Sequence, residues 1–150
     1  MQSNLRDLQA HLDRGGLLGG LAFLNARVAH RFTAVYWMHD MAMNVQALYD
    51  KQQESTANPF AVVPLRNSFC EMAMAQGHFV ATDSPQDARL DGNPYQSVLG
   101  SYVGLPLVTT PGELYGTLCH YDLVARPIED EEFAFLQSAA RLLPRYLKTA

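Results

Sequence analysis

Cysteine and basic charge are both scarce in this chain. Two cysteines, Cys70 and Cys119, are too few for a disulfide framework and fit a reducing cytosol. Eleven Lys and Arg stand against fifteen Asp and Glu, and the net charge of −4 is spread along the chain. With no basic patch, a nucleic-acid partner is not expected. The apolar run Leu17–Leu24 lies behind a charged segment and is too short to span a bilayer. Neither terminus reads as a targeting signal, and there is no internal repeat or low-complexity stretch. There is no Cys-x-x-Cys pair, and His11, His30, His39, His78 and His120 include no i, i+4 pair. No metal or haem site is therefore expected, and these histidines read as surface or strand-end residues. A phosphate-binding glycine loop is also missing, because GGLLGG (Gly15–Gly20) precedes no nucleophile or P-loop lysine. The expectation is one soluble, cytoplasmic domain over residues 1–150.

What the chain does have is apolar mass: 48% of its 150 residues are hydrophobic and 17% charged, enough for a proper core. Leu5, Leu8 and Leu12 fall at helical spacing, and Gly15-Gly16 ends that helix. Leu17, Leu21, Leu24 and Val28 mark a second helix, weakened by Gly19-Gly20 at about 1 kcal/mol each; close packing against a sheet or partner helix is the expected compensation. Phe32–Asp40 is aromatic, β-branched and apolar on both faces, the pattern of a central strand, with Met43–Tyr49 as its hairpin partner. The polar loop Lys51–Pro59, containing Ser55, Asn58 and Pro59, is expected to be exposed. Asn67–Gln76 reads as a short, largely buried helix closed by Gly77, and His78–Thr82 as a third strand. Asp83–Tyr95 is polar, with one or two short turns, and Tyr95–Leu99 forms a single helical turn.

Ser101–Val108 and Glu113–Tyr121 read as a hairpin closed by the turn Thr109–Gly112. Gly104 and Gly116 inside its strands mark a bend or a close approach. A last helix starts at Glu129–Glu132, where negative charge complements the helix dipole. Its residues Phe133, Leu136, Ala140, Leu143 and Leu147 form a coiled-coil-like seam; Phe135, Ala139, Leu142 and Tyr146 form a second apolar face. Pro144 kinks or ends it.

The order of these elements, with SFC (Ser68–Cys70), FVATD (Phe79–Asp83), GLPL (Gly104–Leu107) and GELYGTLCHYD (Gly112–Asp122), resembles the GAF domain family over about residues 17–145. The resemblance implies an α+β, PAS-like fold: a central antiparallel sheet of five to six strands, terminal helices on one face and a ligand-type pocket on the other. Members bind cyclic nucleotides, bilins, haem or small metabolites, and many dimerise through their terminal helices. The family usually precedes an output domain. None is found in this sequence, so the expectation is a stand-alone homodimeric module that acts alone or by contacting a protein partner.

Strand alternation then assigns side chains to faces. With Val35, Trp37, Gly104, Pro106, Leu118 and His120 toward the helices, the pocket face receives Tyr36, Met38, Val103, Leu105, Thr117, Cys119 and Tyr121. Phe69 and Cys70 from the buried helix, with Asp83 and Tyr95 from the lid, complete the candidate ligand-binding set. Two readings stay open at this point: a real ligand pocket, or side chains that fill a second core layer.

Enzyme chemistry is the weaker class. Free methionine-(R)-sulfoxide reductases are GAF domains with reactive cysteines beside the pocket, and Cys70 lies near one such position. That family's catalytic cysteine belongs before the fourth strand, and Asp83–Gly100 has none. No catalytic residue is assigned. A bilin would need an attachment cysteine where this chain has Tyr95-Gln96-Ser97, and the dipeptide Cys119-His120 is offset from its phytochrome counterpart. NPFAVVPLRN (Asn58–Asn67) does not match the NKxnFxxxDE signature of cyclic-nucleotide GAF domains. The sequence therefore predicts a non-enzymatic small-molecule sensor with its ligand unknown, or else a ligand-free interaction scaffold.

Overall fold

The computed structural model describes residues 2–53, 60–109 and 112–147. In chain order the elements are α1 (Gln2–Asn25), β1 (Phe32–His39), β2 (Ala42–Asp50), β3 (Val62–Pro64), α2 (Phe69–Gln76), β4 (Phe79–Ala81), β5 (Ser101–Thr109), β6 (Glu113–Asp122) and α3 (Asp130–Leu142). Short 3-10 turns at Ser84–Gln86 and Ala88–Leu90 precede β5, and another at Leu143–Tyr146 follows α3. All six strands form one antiparallel sheet in the order β3-β2-β1-β6-β5-β4. This is the α+β architecture expected from the sequence. Of the polar loop after β2, Ser55, Asn58 and Pro59 lie outside the described residues, as do Thr110 and Pro111 of the β5–β6 turn.

Helix α1 folds back on itself at Gly16, whose φ of 67° no β-carbon residue adopts cheaply. The His11 and Phe23 rings lie 4.8 Å apart, whereas twelve residues of straight helix would separate them by about 18 Å. Gly19 and Gly20 make this possible: a Cβ on Gly19 would lie 2.8 Å from the His11 carbonyl oxygen, and one on Gly20 2.3 Å from Leu12. The expected two helices are thus the arms of one hairpin, and the two glycines are what let them touch.

Gly116 performs the same service inside the sheet. Its Cβ would fall 1.8 Å from the Tyr36 carbonyl oxygen, next to the register shift between Val35 and Tyr36 in the β1–β2 ladder. The two arms of α1 and helix α3 cover one face of the sheet. Leu8, Leu12, Leu21, Leu24, Val35, Leu118, Phe135, Leu136 and Leu143 form an aliphatic core there, each fully buried side chain contributing about 1.5–3 kcal/mol. The seam of α3 is consumed inside this core: Leu136 and Leu143 are buried against the chain's own sheet and α1, not left for a second copy. Helix α3 ends at Leu142, and Pro144 sits in the 3-10 turn that follows, as a ring without an N–H requires.

Three expectations need correction. A strand, β3, pairs with Ala42–Asn44 at the edge of the sheet; three residues with Pro64 at the end carry too weak an alternation to be read. Helix α2 is buried only along Phe69, Cys70 and Ala73, because none of the described residues covers its outer side. The third correction concerns faces. In β5, Val103 pairs with His120 and Leu105 with Leu118, and directly paired residues share a face. Val103 and Leu105 therefore join the helix-side core, while Tyr102 and Gly104 face the other way.

A polar cluster seals one end of the helix-side layer. The Asn25 amide donates to the Thr33 hydroxyl (2.9 Å), which lies 2.6 Å from Nδ1 of His120; Lys51 donates to Asn25 Oδ1 at 2.6 Å. The His30 ring stacks on His120 at 5.8 Å, and neither of its nitrogens makes a well-formed hydrogen bond among the described residues. Burial lowers His30 to about 4, against an opposing pull from Asp122; burial and the His30 charge lower His120 to about 3. Both are neutral when folded and bind protons more readily when unfolded. Their contribution is complete above the ordinary histidine range and is lost as pH falls through it. We expect stability to drop by roughly 2 kcal/mol per histidine between pH 7 and pH 5, above the range where carboxylates titrate. Urea unfolding across that window measures it, and His30→Gln should remove about half of the slope.

Candidate functional site

The other face of the sheet holds a second core that is aromatic where the first is aliphatic. Phe32, Tyr36, Phe60, Phe69, Phe79, Tyr102 and Tyr121 belong to it, with Cys70 and Cys119. Its roof is α2, fixed at both ends by sequence-local chemistry. Ser68 Oγ accepts from the Glu71 N–H at 3.0 Å, and the Glu71 carboxylate accepts from the Asn67 N–H at 3.0 Å, a variant of the capping box. Gly77 closes the helix in the left-handed conformation. Asn93 donates to the Asn67 carbonyl at 2.8 Å, tying the cover segment to the start of α2. These contacts bring Phe69 and Cys70 inward at the first turn.

The Cys70 sulfur is the focus of the arrangement. The Tyr102 hydroxyl donates to it at 3.3 Å and the Thr117 hydroxyl at 3.2 Å. The neighbouring Cys119 thiol, then Thr117 and Tyr102, hold Cys70 below its ordinary thiol value despite full burial. Burial pushes Cys119 well above its own, and its proton has a long alternative contact to the Ala34 carbonyl at 3.7 Å. Gly104 explains how Tyr102 reaches Cys70: a Cβ there would lie 2.2 Å from the Tyr102 hydroxyl oxygen. The glycine thus makes room for a tyrosine ring rather than for a helix.

A cavity of about 30 Å³ lies between α2 and the sheet, lined by Tyr36, Phe60, Val63, Ser68, Phe69, Cys70, Tyr95, Leu99, Tyr102 and Tyr121. Its size suits a molecule of very few heavy atoms. Tyr36 donates to the Phe60 carbonyl at 2.8 Å, and its hydroxyl lies 3.1 Å from that of Tyr121. Burial raises Tyr36 and Tyr102 well above the usual phenol value, so the wall is neutral. None of the described lining residues carries a charge.

Of the residues picked from sequence, Tyr36, Phe69, Cys70, Tyr95 and Tyr121 line the cavity. Thr117 stands one layer behind and touches Cys70, and Cys119, two residues along β6, belongs to the same buried cluster. Met38 packs at the margin of the same core. Asp83 is exposed and is not among the residues that line the cavity. Val103 and Leu105 lie across the sheet, as described above. Sequence reasoning missed Phe60, Val63, Ser68, Leu99 and Tyr102. Among the described residues no group of three or more His, Cys, Asp or Glu could hold a metal, and no helix is long and apolar enough to cross a membrane.

Comparison with known proteins gives a consistent picture. A family model described as the GAF domain matches residues 20–144. A cyclic di-GMP phosphodiesterase of Pseudomonas aeruginosa is 35% identical over 91 residues, 57% of this chain and 16% of that protein. The match thus spans about a sixth of the curated relative. The GAF domain of an Acinetobacter phosphoenolpyruvate-protein phosphotransferase superposes with a TM-score of 0.75 at 10% identity, covering 97% of this chain and 90% of that one. A free methionine-R-sulfoxide reductase from Neisseria meningitidis, in complex with its substrate, superposes with a TM-score of 0.72 at 15% identity, covering 95% and 84%. At these identities the likeness is one of fold.

Proposed function

The chain belongs to the GAF domain family, and from that premise we propose that it is a cytoplasmic sensory module which takes a compact, neutral small molecule between α2 and the sheet. The observation that carries this reading is the cavity itself: small, aromatic, and without a charged side chain among its described lining residues. A phosphate or carboxylate placed there would lose its hydration and gain no cation, which costs several kcal/mol. A nucleotide is therefore a poor fit and a neutral molecule of few heavy atoms a good one. The relatives that carry this fold in a phosphodiesterase and a phosphotransferase support a regulatory role. Catalysis of the reductase type has less support, since Asp83–Gly100 contains no cysteine. Xenon, a neutral probe of suitable size, should shift the NMR signals of Phe69, Leu99 and Tyr102, and Val63→Phe, which fills the space, should abolish the shifts. Unperturbed signals in the wild-type protein would remove the reading.

Homodimerisation through the terminal helices belongs to the same proposal, with a different surface from the buried seam. A groove of about 410 Å³ runs between α1 and α3, lined by Leu5, Arg6, Gln9, Ser138, Arg141, Leu142 and Arg145. At the opposite end of α3, Glu129, Asp130 and Glu131 are exposed. Two copies related by a two-fold axis, with α3 antiparallel to its mate, would set each acidic end against the other's arginines. Light scattering should give a doubled mass for the wild type and a single mass for Arg141→Glu, with Arg141→Glu/Glu131→Arg restoring the dimer. A wild type of single mass contradicts this. Leu143→Asp is no substitute for these variants, because Leu143 is fully buried and its replacement would unfold the monomer.

A further inference from the structure

We propose that Cys70 and Cys119 form a peroxide-reactive pair: a hydroperoxide entering the cavity oxidises Cys70, and Cys119 then closes a disulfide that fastens α2 to β6. The inference rests on the cavity admitting small neutral molecules, as in the reading above, and adds a chemical step to it.

Three independent features converge on Cys70. Its sulfur accepts from the Tyr102 and Thr117 hydroxyls at 3.3 and 3.2 Å. Donors aimed at one atom favour its anionic form, and the thiolate is the nucleophile. Its place in the first turn of α2 adds the positive end of the helix dipole. Burial would ordinarily make such a thiol inert, but Cys70 lines the cavity and so meets whatever fills it. The cavity's neutral wall and small volume select for the reagent: bulky disulfides and charged oxidants are excluded, and a hydroperoxide of two heavy atoms is not. The remaining cysteine, Cys119, lies in the same buried cluster on a different element, two residues along β6 from the Thr117 whose hydroxyl reaches Cys70.

The chemistry balances. The Cys70 thiolate attacks one peroxide oxygen; an S–O bond forms, the O–O bond breaks, and the departing hydroxide takes up the proton released by Cys70 to give water. The Cys119 sulfur then attacks the sulfenic acid; an S–S bond forms and the S–O bond breaks. The hydroxide leaves with the Cys119 proton as a second water. Two thiols supply the two electrons that reduce the peroxide, and a thiol reductant reverses the change.

Hydrogen peroxide added to the folded full chain should remove two hydrogens from the intact mass and link the peptides carrying Cys70 and Cys119. The rate should exceed that of free cysteine at the same pH by about 10-fold or more, in line with thiolate control of reactivity. Cys119→Ser should stop at a sulfenic acid on Cys70, which adds one oxygen to the intact mass and which dimedone traps when the chain is unfolded in its presence. Cys70→Ser should leave Cys119 unreacted, and Tyr102→Phe should slow the first step several-fold. Melting curves of the serine variants establish that they remain folded. Survival of both thiols at peroxide levels that consume free cysteine overturns the proposal, as does equal oxidation of Cys119 in Cys70→Ser. A wild-type protein that takes up xenon yet keeps both thiols reduced under peroxide overturns this step while leaving the cavity reading intact.

Discussion

The close approach of β1 and β6 at Gly116 is the constraint on which the rest of the molecule depends. With no side chain at that position, the Tyr36 carbonyl and the Gly116 backbone sit where a Cβ would intrude to 1.8 Å. The register that follows pairs Phe32 with Tyr121, Ala34 with Cys119 and Val35 with Leu118. Every face assignment descends from this pairing. Leu118 and His120 go to the layer covered by α1 and α3, and Cys119 and Tyr121 to the layer covered by α2. Because side chains alternate with a period of two, a slip of one residue would exchange the two layers outright.

The two layers have different chemistry, and that difference gives the molecule a scaffold side and a site side. The helix-side core is aliphatic and is closed at one end by the Asn25, Thr33 and His120 hydrogen bonds. The opposite core is built from rings that pack edge to face, such as Phe69 on Tyr102 at 5.5 Å and 89°. Rings joined at such angles leave small interstices that aliphatic side chains would close. The cavity beside Cys70 is one of these interstices, and the hydroxyls that the tyrosines carry into it make the site. Phenol groups that must hydrogen-bond when buried find Phe60, Tyr121 and Cys70 as partners.

Much of this was legible in the sequence. Paired glycines, Gly77 and the acidic start of α3 each announce a local geometry, and the order of the elements led to the family. The site was half legible. Tyr36, Cys119 and Tyr121 could be assigned because β1 and β6 are long strands, in which side-chain direction follows residue parity. The face of β5 is not legible from the hairpin alone. Pairing straight back from Thr109 and Glu113 would oppose Gly104 to Leu118, and only the register shift between Leu107 and Val108 opposes it to Cys119. Contacts made across the fold had no such signal. That Tyr102 needs Gly104 beside it, or that Asn93 anchors α2, depends on where distant segments settle. Likewise the seam of α3 looks the same in sequence whether a partner or the chain's own sheet covers it.

The most direct measurement of this account is the urea stability of Gly116→Ala beside that of Gly15→Ala. A Cβ on Gly15 meets nothing within 4 Å, so alanine there should be neutral or stabilising by about 0.5–1 kcal/mol. At Gly116 the strands must part, and the account predicts a loss of at least about 2 kcal/mol, with disturbed NMR signals from Tyr36 and Tyr121. A Gly116→Ala protein within about 0.5 kcal/mol of wild type, its aromatic signals unmoved, would contradict the claim that this strand contact sets both faces of the sheet.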